Sequence, residues 1–112
     1  MRQDGKIDYV ELPGSNLAEV KRFYGDAFGW RFVDYGPDYA AFDEGIDGGF
    51  WADAPTETKP LVVLFASDLE AMEAAVRAAG GAITKPIFAF PGGRRFHFTD
   101  PAGNELAVWS ET

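Results

Sequence analysis

The sequence predicts an α+β fold of two tandem βαβββ modules, whose strands form a curved, mostly antiparallel sheet around a cleft. Three observations lead there. An order of strand, capped helix and three short strands occurs twice, a polar stretch separates the two occurrences, and a hairpin signature closes the chain. The modules are expected over about residues 5–53 and 60–110 of a single domain, with 53–59 (DAPTETK) as linker.

In the first half, residues 7–12 alternate, with Ile7, Tyr9 and Glu11 on one face and Asp8, Val10 and Leu12 on the other. Pro13-Gly14 ends that strand. Asn16 and Glu19 have the spacing of a capping box, and Leu17, Val20, Phe23, Tyr24, Ala27 and Phe28 form one apolar stripe up to Gly29, a C-terminal helix stop. Aromatic-rich strands are expected at 30–35, 39–43 and 48–52.

The second half repeats the order. Residues 61–65 are continuously apolar, as in a strand covered on both faces. Ser67 is the expected cap, with Glu70 three residues on, for a helix striped by Leu69, Met72, Val76 and Ala79 and ended by Gly80-Gly81. Strands are expected at 82–88, 94–99 and 104–109. The last two are joined by Asp100-Pro101-Ala102-Gly103, in which Pro101 presets φ and Gly103 accepts a positive φ. One helix covers one face of a four-stranded sheet. Each module is thus left with an open face and an edge strand, and pairing the two first strands removes those edges.

Composition excludes several classes of function. A net charge of −8, with no stripe of Lys and Arg, argues against nucleic acid. With no Cys there is no disulfide and no thiolate chemistry. No apolar run is long enough to span a membrane, and MRQDGK is followed by no apolar segment, so neither a membrane partner nor a signal peptide is expected and a cytoplasmic location is the default.

The stretches IDYVEL, NLAEVKRFYGDAFGW, LVVLFASDLEAM and FTDPAGNEL together resemble the vicinal oxygen chelate superfamily of glyoxalases, bleomycin-resistance proteins and extradiol dioxygenases. The resemblance covers nearly the whole chain and implies the paired βαβββ arrangement. In metal-dependent members, a His on the first strand and a Glu on the last strand of each module hold a divalent metal. Those positions fall here on Tyr9, on Leu61, on Ala107 and, within 47–51, on Gly49 or Phe50. None is a fit ligand, so no metal and no other cofactor is expected. The resemblance also implies a homodimer, by swapped modules or by packing of closed monomers.

The residues left on the expected cleft face are Tyr9, Glu11, Phe50 or Trp51, Ala107 and Trp109, rimmed by Phe65 and by an aromatic loop carrying Phe88 and Phe90. Aromatic walls with few polar groups suit a small aromatic or largely apolar ligand, although so many Phe residues also build ordinary core. Glu11 reads either as a desolvated carboxylate that acts as base or holds a ligand, or as a rim carboxylate paired with Arg31. His97 reads either as an acid/base or as a surface position beside two Arg. Arg94 and Arg95 read either as a receptor for an anion or as an offset to an acidic surface. Two functions follow: a metal-free binding protein, or a lyase, isomerase or dioxygenase-type enzyme of the superfamily using Glu11, Tyr9 or His97.

Overall fold

Helix α1 (Leu17–Phe28) begins where the sequence places its cap: in the computed structural model, which describes residues 2–112, the Asn16 carboxamide oxygen accepts the Glu19 amide at 3.3 Å. Gly29 ends it at φ 74°, returning its own N–H to Gly25. The chain runs β1 (Ile7–Pro13), α1, β2 (Val33–Asp34), β3 (Tyr39–Asp43), β4 (Asp47–Trp51), β5 (Leu61–Phe65), α2 (Leu69–Ala78), β6 (Ala82–Phe90), β7 (Gly93–Thr99) and β8 (Glu105–Ser110). This is the expected α+β pattern of two βαβββ halves. No helix among the described residues is long and apolar enough to cross a membrane.

The chain divides into two compact units, Tyr9–Pro60 and Leu61–Thr112, the latter together with the N-terminal residues up to Asp8. In the first, the strand order is β2-β3-β4-β1, with β1 and β4 parallel and the other pairs antiparallel. Its core is aromatic: Tyr24 of α1 stacks on Trp30 at 4.7 Å and leans on Phe50 at 5.3 Å, while Trp30 meets Phe42 at 4.8 Å. That core explains why β2 is shorter than the expected strand at 30–35. Trp30 donates its amide to Tyr24 at the helix end and Arg31 donates to Glu44, so those backbone donors are spent before a ladder can form.

In the second unit the order is β5-β8-β7-β6, with β5 and β8 parallel. Phe96, Phe98 and Val108 pack against Ala66 and Leu69, with Met72 and Val76 of α2 closing over them. The cap of α2 is Asp68, not Ser67: Asp68 accepts the Ala71 amide, whereas Asp4 takes both the Ser67 amide and its hydroxyl proton. The expected aromatic loop at 88–93 is also shorter, because Phe88 and Phe90 still pair in β6 and only Pro91-Gly92 turns. At the final hairpin the Asp100 carboxylate accepts the amides of Ala102 and Asn104, each at 2.9 Å. The Asn104 side chain donates to it as well, and these bonds hold the Asp100 carboxyl below its ordinary range.

Gly48 is where β4 tolerates least change. A Cβ there would lie 2.4 Å from the Phe42 ring and 2.5 Å from the Val10 carbonyl oxygen, and the carbonyl cannot swing away. Gly48→Ala is therefore expected to destabilise the fold by roughly 1–3 kcal/mol, the scale of core overpacking, read from the midpoint of denaturant unfolding.

Candidate functional site

Each unit has a sheet face turned away from its helix, and strand register decides which side chains stand on it. In the Tyr9–Pro60 unit, Tyr9 lies opposite Asp47, Glu11 opposite Gly49, and Tyr39 opposite Trp51. These residues share a face, while Phe50 points the other way and is buried against Tyr24, Phe32 and Phe42. Phe50 is thus a core residue under α1 and not a wall of the site; of the pair Phe50 and Trp51, only Trp51, opposite Pro13, shares the face of Tyr9. Glu11 is half-buried on this face. Its suggested partner Arg31 is exposed, with its backbone amide given to Glu44.

The Tyr9 and Tyr39 hydroxyls are hydrogen-bonded to each other. Burial pushes the Tyr9 phenol above its ordinary pKa of 10.0, an effect that its bond to Tyr39 opposes without reversing, so it stays protonated at neutral pH. Tyr39 reaches Tyr9 by crossing over Gly49, where a Cβ would lie 2.2 Å from the Tyr39 hydroxyl oxygen. Any side chain at 49 would collide with that ring.

In the Leu61–Thr112 unit the same logic places Val63 and Phe65 beside Ala107 and Trp109, and these beside His97 and Arg95. Lys85 and Phe88 of β6 follow across the ladder. Trp109 is held from several sides. Its indole N–H donates to Asp8 at 2.9 Å, the Arg2 guanidinium lies 4.9 Å from its ring, and Phe65 and Phe90 stand 5.6 and 6.3 Å away. Arg2 also bonds Asp8 at 2.7 Å. Neither Arg2 nor Asp8 stands out in the sequence, because the pairing of Asp8 with Trp109 joins residues from opposite ends of the chain.

His97 is not the surface position it resembles in sequence. It is 5% exposed, and its Nδ1 lies 3.2 Å from an oxygen of Glu105. The same oxygen accepts the Thr84 hydroxyl proton. Burial, aided by the charge on Arg95, lowers the imidazole pKa below its ordinary 6.5; Lys85 adds to this, and the bond to Glu105 opposes it. The neutral ring therefore donates from Nδ1 to the carboxylate, leaving Nε2 as an acceptor, and among the described residues no donor reaches that buried atom. The two neighbouring arginines part ways, Arg94 meeting the expected offset to an acidic surface and Arg95 neither reading. Arg94 is tied to Glu70 at 2.6 Å and to the Thr112 carbonyl, while Arg95 lies over the Phe88 and Phe90 rings at 5.5 and 5.6 Å.

These residues do not fit the superfamily's divalent metal. Strand register makes Gly49 the counterpart of Ala107: Gly49 lies opposite the third residue from Tyr9, counted inclusively, and Ala107 opposite the third from Leu61. The room above Gly49 is taken by Tyr39, and Leu61 and Ala107 carry no donor atoms in their side chains. Among the described residues no three His, Cys, Asp or Glu side chains come together to hold a metal ion.

Comparison with known proteins agrees with this architecture. The family model described as Glyoxalase/Bleomycin resistance protein/Dioxygenase superfamily matches residues 6–108. A Mn(II)-bound glyoxalase from Novosphingobium aromaticivorans is 25% identical with a TM-score of 0.67; the match covers 99% of this chain and 40% of that one, so this chain spans about two-fifths of its length. Methylmalonyl-CoA epimerase from Mycobacterium tuberculosis is 16% identical, with a TM-score of 0.72 over 97% of this chain and 89% of that one. A superfamily member from Vibrio splendidus 12B01 is also 16% identical, with a TM-score of 0.71 and coverage of 94% and 97%. At 16% the likeness is one of fold alone. No curated protein sequence matches the chain.

The depressed pKa of His97 has a thermodynamic sign. Below about pH 6.5 the unfolded imidazole gains a proton that the folded one resists, so stability falls as pH drops from 6.5 toward the lower folded value. Unfolding free energies measured across that window should show a positive slope with pH, and His97→Gln should flatten it.

Proposed function

Because the chain belongs to the glyoxalase/bleomycin resistance protein/dioxygenase superfamily, we propose that it is a metal-free binding protein for a small aromatic or largely apolar molecule. The observation that carries this reading is the Tyr39 ring lying over Gly49 and bonded to Tyr9. One of the positions that would supply a metal ligand, Tyr9, is thereby tied to Tyr39, and a second, Gly49, is covered by the Tyr39 ring. With Leu61 and Ala107 at the other two, the Lewis acid of the superfamily's lyases and dioxygenases has no seat.

What replaces the chelate is apolar surface. Phe65, Phe88, Phe90 and Trp109 gather on one face of the Leu61–Thr112 unit, and Asp8 satisfies the one polar atom of the Trp109 ring. A planar ligand gains there from burial and stacking. Tyr9, Glu11 and Trp51 share one face of the other unit. A homodimer is part of the same proposal, as is common among the superfamily's small members.

Protein purified without a histidine tag should carry no stoichiometric transition metal by elemental analysis, and chelator should leave ligand binding unchanged. Stoichiometric zinc, iron, nickel or manganese whose removal abolishes binding would overturn the reading. Trp109→Ala should weaken a bound aromatic ligand by about 1–3 kcal/mol, measured by quenching of the remaining tryptophans. Glu11→Gln should change affinity only modestly; retained affinity with turnover lowered by roughly 10²–10⁴-fold would mark an enzyme that uses Glu11 as base.

A further inference from the structure

The least explained group in the protein is the His97 imidazole. A buried polar atom without a partner costs free energy, so such atoms are rare and call for an account. Nε2 of His97 is one, on a residue that is 5% exposed and on the same face as Ala107 and Trp109. The other ring nitrogen is fixed. Glu105 holds Nδ1, and the Thr84 hydroxyl holds the same carboxylate oxygen from the side. Such a relay sets the tautomer and turns a defined lone pair inward.

The structure also sets an aromatic ring beside this imidazole. Phe88 stands 5.8 Å from the imidazole, tilted by 37°, with the Arg95 guanidinium 5.5 Å from the centre of the Phe88 ring. Phe88 belongs to β6, the last strand of its unit's sheet, whose register slips between Ile83 and Lys85 and again between Lys85 and Phe88. Lys85 is the residue opposite His97, and Pro86 beside it has no N–H for the ladder. The strand is thus most weakly paired where it covers the histidine, and Phe88 is itself 36% exposed. An irregular edge strand with an aromatic side chain over an inward acceptor is a place where a ligand ring can replace a protein ring.

We propose that His97 and Glu105, beneath Phe88, form a ligand subsite in which Nε2 accepts a hydrogen bond, and that the subsite takes an aromatic ring bearing a hydroxyl, a phenol. The ring takes the stacking place of Phe88 and the hydroxyl proton satisfies Nε2. This rests on the binding reading above and deepens it, since an aromatic site alone does not distinguish a phenol from its methyl ether. Glu105 is a positioning residue: it touches His97, and through it sets which nitrogen accepts. The charged groups that bear on the imidazole are Lys85 on β6, Arg95 on β7 and Glu105 on β8, while Asp8 and Arg2 stand against Trp109 on the same face. The first three surround an imidazole that is the only one in the chain.

That single histidine makes the test direct. In the nitrogen NMR spectrum of the full-length isotope-labelled protein, Nδ1 should carry the proton, and the Nε2 resonance should move toward the protonated range on titration with phenol but not with anisole. Phenol should bind roughly tenfold more tightly than anisole, the worth of one hydrogen bond. Glu105→Ala should mix the tautomers and erase most of that preference, and Phe88→Ala should speed phenol association. A proton found on Nε2 in the free protein, or equal affinities for phenol and anisole, overturns the phenol subsite and leaves the aromatic site standing. Failure of both probes to bind overturns the phenol subsite and the aromatic site together. Unchanged or slower association with Phe88→Ala overturns the role given to that ring.

Discussion

The hairpin that closes the chain sets the side to which every residue of β7 and β8 points. Asp100 gathers the amides of Ala102 and Asn104 into a tight turn, and Asn104 returns its carbonyl to the Asp100 amide. With that turn fixed, Thr99 meets Glu105, His97 meets Ala107 and Arg95 meets Trp109. A slip of one residue would send Phe96, Phe98 and Val108 out of the helix-covered core and draw Arg95 and His97 into it. The apolar core and the polar face are therefore specified together, by one turn. The register is strongly enforced, since Phe96 and Val108 are almost wholly buried.

Much of this was legible in the sequence. The alternation around Asp-Pro-Ala-Gly, the two capped amphipathic stripes and the polar stretch between them are local signals, and local signals survive in a single chain. The closing turn even carries the His97–Glu105 contact implicitly. Once Thr99 faces Glu105, His97 is its diagonal neighbour, within reach of a long side chain. What misled was the company of His97. Two adjacent arginines read as a solvated stretch, but Arg94 is drawn away by Glu70 and the C-terminal residue, and Arg95 is laid over two phenylalanine rings.

Tyr39 had no local signal at all. Its meaning depends on β3 lying beside β4 and on a glycine at 49, a relation fixed only by pairing between strands. The error over Phe50 has the same origin. In the run from Gly48 to Trp51 two glycines blur the alternation, and the sequence alone does not say which of two consecutive aromatics faces the helix. The aromatic core under α1 decides it, since Phe42, Trp30 and Tyr24 need a fourth ring and Phe50 supplies it.

The crossing of Tyr39 over Gly49 also bears on how such a chain changes over evolutionary time. A glutamate gained at 49 alone would drive its Cβ into the Tyr39 ring, 2.2 Å from the hydroxyl oxygen. Losing Tyr39 first would take from the half-buried Tyr9 its hydroxyl partner, at a cost of about 1–3 kcal/mol. Each single step toward a chelating carboxylate is thus disfavoured, although the pair of steps together need not be. The two tyrosines and the glycine act as a ratchet: with the ring settled over the backbone, stepwise gain of a carboxylate at 49 must pass through a less stable intermediate.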